Sequence, residues 1–310
     1  MDNDSEYRDG RIIIAGVPSL TILMLSILFN ACSIYFVRTA KTLHSFFATI
    51  LAYRSLCEIC VSSAIIFFWI CTLTDFYPSA DANGAISGIA QIMLTQAYML
   101  HVTASLNRSV AMYFPTKYSL IYENWMIRVV FLLGTTTLSI TLVLLLLIDR
   151  CFFFIWEFDV SDFSTFLCMY EPGSYDGSFV VWPSELLSTA QRTFCFAAVA
   201  VDLTTLLKIL LLSKSAQSET NRRNIRFFLQ VFTQNAFLCV SVLTSMFYPN
   251  ADDNKDHNYF GIYWYTSFLY NVSFFVNSIT LFIFNSEVHR TISRIFKRTQ
   301  VTVTVRSITA

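Results

Sequence analysis

Charged residues are scarce in this sequence. Only 14% of the 310 residues are charged and 55% are hydrophobic, whereas about a quarter of the residues in an ordinary soluble domain carry charge. The net charge is zero, which argues against a nucleic-acid partner. The shortage of charge therefore points to a lipid environment.

Enzyme signatures are also missing. The four histidines lie in separate segments without the spacing of metal ligands, and there is neither a phosphate-binding glycine loop nor a Gly-x-Ser-x-Gly motif. No internal repeat is visible, and the six prolines fall mainly in loops or at the ends of apolar runs. We therefore expect no catalysis, no metal and no cofactor. A transporter built from repeats and broken helices is disfavoured for the same reasons.

The apolar residues are gathered into seven long runs. A bilayer core about 30 Å thick requires roughly 20 apolar residues in a helix, and backbone hydrogen bonds must be satisfied within each run inside lipid. The sequence therefore predicts an all-α membrane protein with a seven-helix transmembrane bundle over residues 12–285. No run has the cleavage pattern of a signal peptide, so the first is interpreted as an uncleaved anchor. The predicted helices are 12–37, 46–73, 85–106, 126–148, 185–212, 227–248 and 261–285.

Basic residues are divided unevenly between the two sets of loops. The set that includes the C-terminal tail carries 13 Lys and Arg, and the set that includes the N-terminal tail carries 4. Lys and Arg are retained on the cytoplasmic side of a membrane. We therefore expect residues 1–11 to form an extracellular tail and residues 286–310 to form a cytoplasmic tail.

The beginning of the cytoplasmic tail has a helical pattern. Val288, Ile292, Ile295 and Phe296 recur at helical spacing, with Arg and Lys on the remaining surface. This pattern predicts a short amphipathic helix that lies on the anionic cytoplasmic leaflet. An ordinary solvated tail is the alternative.

The end of the third run carries a specific motif. Its residues are Leu106, Asn107, Arg108, Ala111, Pro115 and Tyr118. The seven-helix architecture resembles that of rhodopsin-like G-protein-coupled receptors, and this motif resembles that of the nematode serpentine chemosensory receptors, class x in particular. The resemblance implies a receptor that binds an extracellular small molecule in the outer half of the bundle. It further implies signalling to a heterotrimeric G protein from the plasma membrane of a sensory neuron, or from its cilium.

The resemblance also implies a coupling region on the cytoplasmic side. Arg108 would contact an intracellular partner or restrain the resting state, although an arginine at a cytoplasmic helix end can also act on topology alone. Asn107 replaces the acid that precedes this arginine in most rhodopsin-like receptors, so we expect a weaker charge-based restraint. The predicted coupling or switch residues are Asn107, Arg108, Pro115, Tyr118, Arg222, Arg223 and Arg226.

Two charged residues lie inside the second run. Arg54 and Glu58 are four residues apart, so they share a helix face and can pair. Charges inside a membrane are costly and usually face the bundle interior. We expect an internal polar network that also includes Asn30 and Asn277, with either a switching role or a static packing role.

Several polar and aromatic side chains lie at the depth where a small ligand would enter. Ligand pockets between bundle helices combine apolar and aromatic walls with a few polar groups. An unpaired Arg192 would suit an anionic or carboxylated ligand, whereas Trp and Tyr near helix ends can instead be interfacial anchors. The predicted ligand-binding residues are Gln91, Thr95, Tyr98, Gln191, Arg192, Trp264 and Tyr270.

Three of the eight cysteines lie at or beyond the predicted outer surface, where disulfides persist. Cys151 and Cys168 lie in one long outer loop, and their pairing is our preferred disulfide. A bridge between Cys71 and Cys168 is the alternative.

Two rival functions remain besides a receptor. A seven-span transporter would require paired broken helices, and an odorant-gated channel of the insect type would have its N-terminus inside, contrary to the distribution of Lys and Arg.

Overall fold

The computed structural model describes residues 2–39, 46–76, 78–122, 124–148, 152–157, 162–167, 182–212, 219–247, 259–284 and 288. These residues form eight helices and one antiparallel hairpin. The helices are α1 (Asp2–Thr39), α2 (Phe46–Leu73), α3 (Ala80–Tyr113), α4 (Pro115–Tyr122), α5 (Trp125–Ile148), α6 (Trp182–Leu212), α7 (Glu219–Phe247) and α8 (Tyr259–Phe284). The hairpin consists of β1 (Phe152–Glu157) and β2 (Asp162–Leu167).

Six of the described helices are long and apolar enough to cross a membrane, namely α1, α2, α5, α6, α7 and α8. The 34-residue α3 is long enough but too polar to meet the same criterion. Ten of its polar side chains are buried. Because α3 contacts α2, α5, α6 and α7, these helices shield its polar side chains from lipid. We therefore count α3 as a seventh span.

The remaining helices are arranged around α3. α1 packs against α2 and α8, and α7 contacts both α6 and α8. α5 is the most exposed span, with Val130 and Leu133 more than 60% exposed. Polar contacts attach α5 to the bundle, since Ser139 Oγ donates to Gln96 Oε1 at 2.6 Å and Tyr53 Oη lies 3.0 Å from Thr136 Oγ1.

The two largest apolar clusters of the described residues lie one towards each end of the bundle. The cluster where α2 begins includes Phe46, Phe47, Ile50 and Leu100. The second, where α2 ends, includes Leu23, Val61, Ile65, Phe68 and Trp69. Polar side chains occupy the layer between them, as described below.

Gly16 allows a close approach between α1 and α2. A β-carbon at this position would lie 3.1 Å from the ring of Trp69, which is closer than nine in ten real contacts of that kind. The absence of a side chain therefore gives the indole room between the two helices, where it is almost completely buried.

The helix ends differ from those predicted. α1 begins at Asp2 and so includes most of the predicted N-terminal tail, and α7 begins at Glu219 within the predicted connection. α3 continues beyond the predicted helix 85–106 at both ends. Ser79 caps its start by accepting a hydrogen bond from Ala82 N at 3.3 Å. Hydrophobicity detects only the part of a helix that lies in lipid, whereas the hydrogen-bonded helix continues beyond it.

Two elements were not predicted. The short helix α4 begins with Pro115, which suits a first helical position because its missing N–H would have no partner there. Tyr122 at its end stacks on Phe46, with ring centroids 5.2 Å apart. The hairpin lies within the predicted long outer loop that contains Cys151 and Cys168. β1 contacts α3 and α5, and β2 contacts α8.

Candidate functional site

A cavity lies between α2, α3, α6 and α8, near the ends where α2 stops and α3 starts. Its volume is about 150 Å³, and an engineered protein cavity of similar volume is large enough for benzene. Much of the wall is apolar or aromatic. These lining residues are Val61, Ile65, Trp69, Leu94, Tyr98 and Phe274.

The polar part of the wall comes mainly from α8, with one residue each from α3 and α6. It consists of Gln91, Gln191, Ser267, Tyr270 and Asn271. Gln191 Nε2 donates to Thr95 Oγ1 at 3.0 Å, and Thr95 Oγ1 donates to the carbonyl of Gln91 at 2.8 Å. This chain of hydrogen bonds fixes one polar wall and joins α6 to α3.

The cavity collects some, but not all, of the residues predicted to bind a ligand. Four of the seven line it, namely Gln91, Tyr98, Gln191 and Tyr270. Thr95 does not line the cavity, but it accepts the hydrogen bond that orients the side chain of Gln191. Arg192 is half-buried and is not a lining residue, and the side chain of Trp264 lies outside the described residues. α2, from which no ligand-binding residue was predicted, also contributes to the wall.

A buried polar network lies next to the cavity along the bundle. Glu58 Oε1 is 3.4 Å from Arg54 Nε and accepts a hydrogen bond from Asn277 Nδ2 at 2.8 Å. Arg54 Nη1 donates to Gln234 Oε1 at 2.9 Å. Gln234 Nε2 in turn donates to the carbonyl of Asn277 at 2.5 Å. The ion pair on α2 is thus tied to α7 and α8.

His101 extends this network across α3. Its Nδ1 lies 2.6 Å from Asn235 Oδ1, and its Nε2 lies 3.3 Å from Asn277 Nδ2. Asn235 Nδ2 donates to Ser105 Oγ at 2.7 Å and to Asp202 Oδ2 at 2.6 Å. Five helices therefore meet in one polar layer, and Glu58 and Asp202, the two carboxylates that are buried among the described residues, take part in it.

The predicted network residues occupy this layer. Arg54, Glu58 and Asn277 are in direct contact, and Asn30 lies beside Glu58 while donating to Ser26 Oγ at 3.3 Å.

Arg108 lies at the far end of α3, sandwiched by aromatic rings. Its guanidinium carbon is 3.4 Å from the ring centroid of Phe47 and 5.1 Å from that of Phe227. A cation over an aromatic face is attracted by the ring quadrupole, so these contacts hold the charge of a 5% exposed side chain between α2 and α7. The neighbouring Asn107 Oδ1 accepts a hydrogen bond from Tyr118 Oη at 3.2 Å.

The other predicted coupling residues lie around this end. Pro115 and Arg226 are exposed, and the side chains of Arg222 and Arg223 lie outside the described residues. α3 and α6 are joined nearby by a short hydrogen bond between Ser109 and Thr205 and by Tyr113 Oη, which donates to the carbonyl of Thr204 at 2.8 Å.

The comparison with protein families identifies this arrangement. The model of the serpentine type 7TM GPCR chemoreceptor Srx matches residues 20–297, which is most of the chain. The chain belongs to the Srx family of chemoreceptors. No curated protein matches it significantly. Membership of a seven-transmembrane family agrees with counting the polar α3 as a span, and it confirms the resemblance to nematode class x receptors. The family is one of receptors and is typically non-enzymatic.

Several residues of the Srx receptor's polar layer were missed by sequence reasoning. Gln234, Asn235, Thr280 and Ser105 were not selected, and His101 was treated only as a possible metal ligand. Asn235 and Gln234 interrupt an otherwise apolar run, and polar residues inside a span usually face the bundle interior. That signal was available, but it does not show which partners these residues meet.

Among the described residues of the Srx receptor, no group of His, Cys, Asp and Glu could hold a metal ion. Cys71 is buried with a free thiol, which is contrary to the alternative bridge between Cys71 and Cys168. Cys151 and Cys168 themselves lie outside the described residues. They immediately precede and follow Phe152 and Leu167, which are paired across the hairpin.

Proposed function

We propose that this Srx receptor binds a small molecule in the cavity and signals through the Arg108 end of the bundle to a heterotrimeric G protein. The observation that carries the proposal is a stripe on α3 that joins the two regions. Tyr98, His101, Ser105 and Arg108 follow one another at spacings of three or four residues and so share a helix face. Tyr98 lines the cavity, and His101 and Ser105 belong to the polar layer.

α8 repeats this arrangement. Ser267, Tyr270, Asn271 and Phe274 line the cavity, and Asn277 follows at the same spacing within the polar layer. A ligand that displaces α3 or α8 at the cavity would therefore change hydrogen bonds in the polar layer. Gln91 and Arg108 are about 25 Å apart along α3 at 1.5 Å per residue, so the coupling must cross that layer.

A ligand shifts a conformational equilibrium only if it binds one state better than the other. A molecule of about eight non-hydrogen atoms gains at most about 1.5 kcal/mol per atom, and usually much less. The resting and active packings of the bundle must therefore differ by only a few kcal/mol. The pairing of Arg54 with Glu58 and the aromatic sandwich around Arg108 are contacts that two packings can make differently.

The uneven distribution of Lys and Arg supports an extracellular N-terminus, which orients the cavity towards the outside and Arg108 towards the cytoplasm. We place the receptor in the plasma membrane of a sensory cell or in its cilium, and membership of a chemoreceptor family supports the sensory role. In this orientation Arg108 and the basic start of α7, which contains Arg222, Arg223 and Arg226, would face the G protein. The hairpin register favours a disulfide between Cys151 and Cys168 at its open end.

The test is a panel of small molecules applied to cells that express the full chain with a second-messenger reporter. We expect a ligand-evoked signal that Arg108→Ala abolishes and that Arg38→Ala, an exposed arginine at the end of α1, retains. Surface labelling of an epitope at Met1 checks both expression and orientation. A ligand-evoked current in cells that lack G proteins would instead identify a channel, and uptake of labelled ligand would identify a transporter.

A further inference from the structure

We infer that the cavity accepts a compact, uncharged molecule of about six to ten non-hydrogen atoms with one hydrogen-bonding group, which contacts Ser267. Only the signalling measurement below rests on the proposed function, because ligand binding can be measured without it. It differs from the anionic ligand that Arg192 had suggested.

The size limit follows from the cavity volume. Sites for drug-sized ligands usually measure about 300–1,000 Å³, whereas this cavity measures about 150 Å³. A volume of that kind holds a molecule of the size of benzene. The ligand therefore belongs with small, volatile organic compounds rather than with peptides or nucleotides.

The exclusion of charge follows from the lining. None of the residues that line the cavity in the described part of the chain is Asp, Glu, Lys or Arg. Gln191 lines the cavity but its neighbour Arg192 does not, because successive residues of a helix point about 100° apart. A charged ligand would have to leave water for a wall whose lining residues carry no opposite charge, which is strongly unfavourable.

The hydrogen-bonding group follows from Ser267. Its Oγ is buried at the cavity wall and has no hydrogen-bond partner among the described residues. Buried hydroxyl groups are nearly always paired, so a ligand oxygen or nitrogen would supply the missing partner. Tyr270 and Asn271 line the wall next to it, which favours a hydroxyl or carbonyl group on the ligand at this side. Trp69, Leu94 and Phe274 provide the apolar surface for the rest of the molecule.

The test compares ligands of matched shape. Toluene, benzyl alcohol, benzoate and benzylammonium form one series, and their cyclohexyl counterparts form another. Binding is measured by ligand-observed NMR on the full-length receptor in nanodiscs, and signalling is measured with the cellular reporter. In at least one series we expect the alcohol to bind about ten-fold more tightly than the hydrocarbon, in line with one net hydrogen bond. Both charged molecules should bind at least a hundred-fold more weakly than the alcohol.

Two pairs of variants locate the site. Ser267→Ala should remove the advantage of the alcohol over the hydrocarbon. Ser278→Ala, on the same helix but bonded to the carbonyl of Phe275 at 2.8 Å, should retain it. Leu94→Trp should fill the cavity and abolish binding, whereas Ile89→Trp, on the exposed face of α3, should not. Ile65→Phe replaces Leu94→Trp if that variant fails to reach the cell surface.

The outcomes separate this inference from the proposed function. Tight binding of a charged member, binding that survives the filled cavity, or no binding by either series would overturn the inference. Binding in the expected order without any signal would support the ligand class and count against G-protein coupling. A signal evoked by benzoate that depends on Arg192 would support the receptor function and refute the uncharged ligand.

Discussion

Removing one member of the buried pair of Arg54 and Glu58 should destabilise the receptor more than removing both. Arg54→Leu leaves the Glu58 carboxylate inside the bundle. Its remaining polar neighbours are Asn277 Nδ2, which donates a hydrogen bond to it, and His101 Nε2, which lies 4.0 Å away. Glu58→Leu leaves the Arg54 guanidinium buried with Gln234 as its hydrogen-bond acceptor. The two side chains are only 2% and 1% exposed, so water cannot solvate the charged group that remains after its partner is removed.

The size of the effect follows from the burial of the pair. Breaking a buried ion pair by removing one partner typically costs about 3–5 kcal/mol, while replacing both partners with apolar residues is often close to neutral. The double variant still deprives Gln234 and Asn277 of one partner each, at about 1 kcal/mol per hydrogen bond. We therefore expect each single variant to lose about 3–5 kcal/mol and the double variant to lose about 2 kcal/mol.

Thermal unfolding of the purified receptor in nanodiscs measures this difference. With an unfolding entropy of about 2.1 cal/mol/K per residue, a loss of 1 kcal/mol lowers the midpoint of a 310-residue chain by about 1.5 °C. The single variants should therefore melt about 5–8 °C lower than the wild type. Arg38→Leu, which removes an exposed arginine, should change the midpoint little. If the losses of the two single variants simply add in the double variant, the two charges are not coupled and our account of the layer is wrong.

The remaining predictions concern the Arg108 end. Asn107→Asp should lower basal signalling, because it places a carboxylate beside Arg108 where the native chain has a neutral amide, and equal basal reporter activity at equal surface expression would contradict this. Phe47→Leu removes the nearer ring of the sandwich, whose centroid lies 3.4 Å from the guanidinium carbon, and should weaken the hold on Arg108 by about 1–2 kcal/mol. Basal signalling should then rise several-fold in the same assay, whereas Phe76→Leu, in an exposed position outside the helices, should leave it unchanged.

The apolar runs predicted the spans because every helix that faces lipid needs about 20 mostly apolar residues to cross the bilayer core. α2 and α5 illustrate this, since their runs are long and nearly uninterrupted. The same reasoning identified Arg54 and Glu58, because a charge inside a span has to find a partner in the interior. Their spacing of four residues then implied their contact within one helix.

The contacts between helices could not be predicted in this way. His101, Asn235 and Asp202 meet because α3, α6 and α7 are adjacent and in a particular rotation, and neither property is encoded in the pattern of a single run. The same applies to Arg192, whose charge suggested a ligand contact although its neighbour Gln191 occupies that face. The hairpin was missed because its aromatic strands lie in a loop that has no lipid-facing pattern to reveal them.

The polarity of α3 has a consequence for how the receptor is made. Ten polar side chains of this helix are buried against its neighbours, and polar or charged residues near the middle of a span make insertion into a bilayer less favourable. During synthesis, α3 by itself is therefore poorly suited to pass from the translocon, the channel that inserts helices, into the bilayer. We expect its integration to depend on helices that are made before and after it, so that a truncated chain ending soon after Tyr113 would fail to retain it in the membrane.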